Sequence, residues 1–341
     1  MKATRLKVSL SILILSVALS ACASDSSGTG GPSPTAQPTA TEPVPSETAS
    51  AEPTDEPDEL VVKTFRDEAV AGAPADQVYT AFKLAMNKIQ HPAQADDLVR
   101  ALDAYYDKQL DAIDAPYEPN EVQQALYELE WPITAAEATK LKDDEIRELV
   151  ERTLTGGYKL ESVEGYIFPI VDYGKLLSFG HQASIPMKAY LELMATESDA
   201  MVAMDGGIVI TLDDLAARTL ASESYVLNFP DTPERAKVEE RYLQYLNLLF
   251  TGLNNTPIFD YDTFLVEPDV KRQFEQLASA HSGTITGKLA QELLDILKET
   301  NDQVFTKDKK GEQTDIPEMK TFRDQLESAA RSKLPAIKSN K

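Results

Sequence analysis

The sequence predicts a mainly α-helical body, built from packed helical hairpins, with one small β-hairpin near its centre. Three observations carry this. From Leu60 onward, apolar residues recur at three- and four-residue steps through most of the chain. Helix start and stop signals punctuate that pattern at regular intervals. One stretch, residues 156–210, instead gathers glycine, aromatic and β-branched residues, and the remaining helices fall before and after it.

Taken in order, Val78, Phe82, Ala85, Met86 and Ile89 define a first amphipathic helix that closes before His91-Pro92. Leu98, Ala101, Leu102, Tyr105, Leu110 and Ile113 define a second, which ends before Pro116. Asn120 is placed to cap a short helix carrying Val122, Leu126 and Leu129. Thr134 with Glu137 is a capping-box pair, and Ile146, Leu149, Val150 and Leu154 carry a helix to a stop at Gly156-Gly157. Tyr158–Val163 and Tyr166–Val171 then read as two short strands across the Glu164-Gly165 turn. Pro169 cannot donate to a ladder, so the second strand is expected at an edge. Ser184 opens the next helix, which ends near Glu197-Ser198-Asp199, and the Met204–Gly207 turn follows. Thr211 with Asp214 starts another helix. The most apolar helix comes next, with Val238, Tyr242, Leu243, Tyr245, Leu246, Leu249, Phe250 and Leu253, and it is expected at the centre of the core. Helices around Phe274 and Leu293, a polar loop over 307–315 and a last helix from Pro317 to about Leu334 complete the body.

The N-terminus reads as an address. Lys2, Arg5 and Lys7 precede an apolar run from Val8 to Leu19, which is too short for a permanent membrane span. Residues 23–59 hold seven prolines and eight acids but no Lys or Arg, and Val44 is their one large apolar residue. Such a segment cannot bury enough surface to fold and is expected to act as a tether. It would reach roughly 115 Å as extended polyproline and about 35 Å as a flexible coil. The organisation expected is therefore a signal over 1–21, a tether over 22–59 and a helical body over 60–341, with a possible subdivision near residue 156.

Charge and cysteine usage narrow the function. Removal of residues 1–21 takes away three positive charges and moves the formal charge from -23 to -26. A body so acidic repels nucleic acid and anionic headgroups. Cys22 is the only cysteine, so an intrachain disulfide, a thiolate metal cluster and a cysteine nucleophile in the body are all excluded.

The residues Leu19-Ser20-Ala21-Cys22 resemble the lipobox of bacterial lipoproteins. That resemblance implies a diacylglycerol on Cys22, an exported chain and an anchor on the extracytoplasmic face of the cell membrane. Glu164–Tyr173, Ala195–Asp199 and Asn254–Tyr261 are similar to uncharacterised lipoproteins of Bacillus- and Paenibacillus-like bacteria, which implies a Gram-positive envelope and brings no assigned activity. Ala221-x3-Tyr225-x3-Phe229-Pro230-Asp231-Thr232-x3-Ala236 resembles the helix-loop-helix junction of tetratricopeptide-like repeats. There, alanine lets the two helices approach closely. The match covers one repeat, and no copies recur at the family's period.

No motif for a serine nucleophile, a zinc protease, a P-loop or a dinucleotide site is present. The histidines His91, His181 and His281 are not ligand-spaced, and the acidic run Asp260, Asp262, Glu267 and Asp269 lacks EF-hand spacing. No catalytic residue, metal or cofactor is therefore assigned. The candidate ligand-binding residues are Glu164, Tyr166, Asp172, Tyr173, Glu197 and Asp199, with Tyr158 and Phe168 as neighbouring aromatics. The expected role is a non-enzymatic binding or scaffold protein serving an envelope protein or a cell-wall partner. The alternative is a glycan hydrolase that uses paired carboxylates among Glu164, Asp172, Glu197 and Asp199. A two-lobed solute receptor is disfavoured, because no alternating strand-helix run exists to build it.

Overall fold

In the computed structural model, residues 57–70 and 72–336 are described. The signal segment, Cys22 and the tether up to residue 56 lie outside the described residues. The first helix, α1 (Pro57–Glu68), opens within the last three residues assigned to the tether, with Asp58 and Glu59 in its positive first turn. Asp58 is buried, and its carboxylate accepts from the Gln90 and His91 amides at 3.0 and 3.1 Å. The His91 ring contacts it at 2.8 Å, and this hydrogen bond chiefly holds Asp58 below the usual carboxylate range.

Apart from a short helix directly after the first β-hairpin, which was not expected, the other helices fall close to their expected places. They are α2 (Ala75–Met86), α3 (Pro92–Asp114), α4 (Asn120–Tyr127), α5 (Ala135–Ala138), α6 (Asp144–Thr155), α7 (Tyr173–Leu177), α8 (Ile185–Asp199), α9 (Leu212–Asn228), α10 (Arg235–Thr251), α11 (Pro268–Ala280), α12 (Ile285–Glu299) and α13 (Pro317–Arg331). The fold is mainly α. Thr134, Ser184 and Thr211 cap α5, α8 and α9 through their side chains, as the sequence indicates. Asn120 does not cap: it is already the first helical residue, after an extended Pro119. Glu137 closes only half of a capping box. Its amide reaches Thr134, while its carboxylate accepts from the Glu130 amide and pairs with Lys140.

Strands β1 (Tyr158–Val163) and β2 (Tyr166–Val171) form the expected antiparallel hairpin. Glu164 and Gly165 both have positive φ, as a tight two-residue turn requires. Gly157 before it is indispensable on two counts, since φ is +85° and an added Cβ would stand 2.1 Å from the Tyr106 hydroxyl. Three further hairpins are shorter: β3 (Ala203–Met204) with β4 (Gly207–Ile208), β5 (Gly252–Leu253) with β6 (Thr256–Pro257), and β7 (Phe305–Lys307) with β8 (Gln313–Asp315). The last of these lies where the sequence suggested only a polar loop.

Three apolar clusters fill the body. The largest lies around α10, which buries Tyr242, Leu246, Leu249 and Phe250 against α11, α12 and α13. A second gathers α1, α2, α3 and α8 around Phe82, Leu102 and Leu191, and a smaller third holds Tyr117, Val150, Leu160 and Ile167. The β1–β2 hairpin bridges the last two, because Tyr158 enters one and Leu160 the other. Helices α9 and α10 form a hairpin in which Tyr225 packs edge-on to Phe229 and bonds Thr232. Ala221 and Ala236 are exposed, so they do not set the approach of these two helices.

Candidate functional site

Each residue expected to bind ligand has a partner or a structural position of its own. Asp172 caps α7 by accepting from the Lys175 amide, and it pairs with the Lys175 ammonium at 3.2 Å. Asp199 pairs with Lys159 at 2.7 Å. These two carboxylates do converge, since both lie beside the bare Cα of Gly174. Glu197 is enclosed by Arg218 at 2.9 Å, the Tyr245 hydroxyl at 2.5 Å and the Val202 amide at 3.2 Å, with Arg241 at 3.8 Å. Glu164 stands apart at the exposed tip of the hairpin against Asp205, and this contact raises its pKa. The structure therefore brings Asp172 and Asp199 together and leaves Glu164 and Glu197 in separate settings.

The aromatics divide. Tyr158 is buried core, packed against Tyr106. Tyr173 is buried too, and its hydroxyl donates to Asp103, which also accepts from Tyr190 at 2.8 Å and pairs with Lys237 at 3.0 Å. Burial first, then Asp103, pushes the Tyr173 phenol far up, so it remains a donor. Tyr166 and Phe168 stack at 6.0 Å on the partly open side of β2.

Phe168, Tyr173 and Glu197 meet in a cleft of about 540 Å³. Its walls are β2, the C-terminal half of α3, the end of α8 and the first half of α10. Leu110, Ile170, Met194 and Met201 supply apolar surface, and Lys237 and Arg241 bring positive charge. From α3 come Asp107, Asp111 and Asp114, one helical stripe at steps of four and three. The last two occupy the negative end of the helix macrodipole, where no basic residue offsets them. Lys237 serves Asp103 and Asp107, and Asp114 only meets the Tyr166 hydroxyl at 3.4 Å. Asp111 has no ion-pair partner among the described residues. These three acids were not among the expected ligand-binding residues, although their spacing at a helix C-terminus is visible in the sequence.

The β2 edge borders this cleft. Consecutive residues of an antiparallel strand turn their amides alternately toward and away from the partner strand. Ile167 turns away, because its amide donates to the Gln123 side chain at 2.9 Å and its carbonyl accepts from the same side chain at 2.8 Å. Tyr173 turns the same way, and its amide donates to Ser198 Oγ at 3.3 Å. Asp172 faces the other way and bonds Gly157 at 3.0 Å. Pro169 and Val171 therefore point outward between two side-chain caps. Pro169 is buried at the floor of the cleft and has a carbonyl alone, whereas half-buried Val171 has both its groups.

Among the described residues, no group of three or more His, Cys, Asp or Glu side chains is arranged to hold a metal ion. Asp260 instead accepts from the Asp262 and Thr263 amides and the Thr263 hydroxyl within its own loop. Comparison with known families, curated proteins and solved structures finds no match to this chain.

Proposed function

We propose that this chain is a membrane-anchored cell-envelope lipoprotein whose helical body binds a partner in the β2 cleft without catalysing a reaction. The observation that carries the reading is the cleft itself, where apolar walls meet unpaired acids on rigid helices. The Leu19–Cys22 lipobox and the acidic tether support an anchored position outside the membrane. Among the described residues no helix is long and apolar enough to cross a bilayer. Hydrolysis of a glycan has less support. The four carboxylates expected to carry it are not set up as an acid and base pair: Asp172, Asp199 and Glu197 are each held by a cation, and Glu164 stands apart at the hairpin tip beside Asp205.

Two measurements in intact cells test this. Cys22→Ala should move the folded body from the membrane fraction to the soluble fraction. A photo-crosslinking residue at Leu110, in the cleft, should capture an envelope partner that the same residue at exposed Ile185 does not. Equal capture at both positions, or none from the cleft, would sink the reading.

A further inference from the structure

We propose that the cleft takes an extended, basic segment of a partner protein as an added strand on the β2 edge. This deepens the binding role proposed above and rests on it. The geometry points to a strand because four consecutive residues, Phe168 to Val171, line the cleft. Side chains of alternate strand residues leave on opposite faces, so a cavity touched by all four runs along the edge.

That edge is a window of definite width. Gln123 fills the place of a neighbouring strand at Ile167, and Ser198 takes the amide of Tyr173. Between them remain the Pro169 carbonyl and the Val171 amide and carbonyl. Gln123 is 7% exposed, so one end of the window is closed by a fixed group. An extended segment can make three main-chain hydrogen bonds here, running in either direction, through two residues spaced two apart. The carbonyl of Tyr158, opposite Val171 in the register, already receives Lys175 at 3.0 Å and faces away from this edge.

Charge selects the occupant. The stripe Asp107, Asp111 and Asp114 borders the window, and two of the three acids sit at a helix end that disfavours them. The two cations of the cleft are already engaged, Lys237 by Asp103 and Asp107, and Arg241 by Glu197. Lysine or arginine side chains of an incoming strand would supply the missing positive charge. The chain's own acidic tether would be repelled, since residues 23–59 contain no Lys or Arg.

The test uses the full-length chain in neutral detergent and the capped peptide Lys-Val-Lys-Val-Lys, titrated by fluorescence anisotropy at low and moderate salt. Binding should weaken as salt rises, and the Glu-Val-Glu-Val-Glu peptide should not bind. N-methylation of one alternate set of peptide amides should weaken binding about tenfold or more, and methylation of the other set should leave it unchanged. Asp111→Asn with Asp114→Asn should weaken binding about tenfold and flatten the salt dependence. Tight binding that ignores N-methylation would overturn strand addition while keeping the cleft as a site. Absence of binding would overturn the basic-strand occupant, and the Leu110 crosslink would still report on a partner of other chemistry. A concentration-dependent dimer that excludes the peptide would replace it with a second copy of this chain.

Discussion

The interior around α10 and the cleft along β2 treat charge in opposite ways. Glu223, 1% exposed, sits deep in the larger cluster with no cation beside it. Its carboxylate accepts from the Ile285 amide at 2.6 Å, the Thr286 amide at 2.9 Å and the Thr286 hydroxyl at 2.7 Å. It thus closes the N-terminus of α12 from a different helix, and the positive dipole end favours it there. In the cleft, Asp111 and Asp114 stand at the negative end of α3 with no cation paired to either, and Asp114 meets only the Tyr166 hydroxyl at 3.4 Å. The fold sets the buried carboxylate on a favourable helix end and leaves the two open ones on an unfavourable end without a counter-ion. Local rules broken without a compensating contact mark places shaped for something other than stability.

The largest effect that sharpens this contrast is in packing. Leu246→Ala, at a fully buried position on α10, should cost about 3 kcal/mol in denaturant unfolding, whereas Leu110→Ala at the 56% exposed cleft wall should change stability by less than ~0.5 kcal/mol. Equal losses would place the cleft within the core. Next comes the buried carboxylate. Glu223→Ala strands two amides and a hydroxyl and should cost about 2–3 kcal/mol. A loss no greater than that of an exposed Glu→Ala change would break the account of α12. In the opposite direction, Asp111→Asn with Asp114→Asn should stabilise the ligand-free chain by a few tenths of a kcal/mol at low salt. A measured loss would mean those acids serve the fold.

The smallest effect is at the hairpin tip. Glu164 has a raised pKa because Asp205 shares a hydrogen bond with it and repels its charge. A carboxyl raised on folding lends stability below its unfolded pKa, and that contribution is lost as pH rises through the folded value. Carboxyl NMR should therefore show Glu164 titrating above an ordinary glutamate, and Asp205→Asn should return it to the ordinary range. An unchanged midpoint in the variant would remove this pair from the account.

Much of the architecture was legible because it is local. Helix periods, the Ser184 and Thr211 caps, and the strands on either side of Glu164-Gly165 depend on neighbours in sequence. Pro169 even announced the edge on which the cleft lies. The site was legible only in part. Tyr173 and Glu197 were named and do line the cleft, but Glu197 is held by Arg218 and Tyr245, partners 21 and 48 residues away. Asp172 and Asp199 approach each other because α8 returns alongside α7, and no spacing rule encodes that return. Gln123 acting as a strand neighbour to Ile167, 44 residues on, is equally invisible before folding.

Backbone hydrogen exchange at single residues of the full-length chain, followed by NMR, tests the open edge most directly. Ile170, bonded into the ladder, and Ile167, bonded to Gln123, should be protected, while the Val171 amide exchanges close to the rate of an unstructured chain. Addition of the basic peptide should slow Val171 and leave the other two as they were. Protection of Val171 equal to that of Ile167 in the free protein would contradict the account, because the edge would then already be closed.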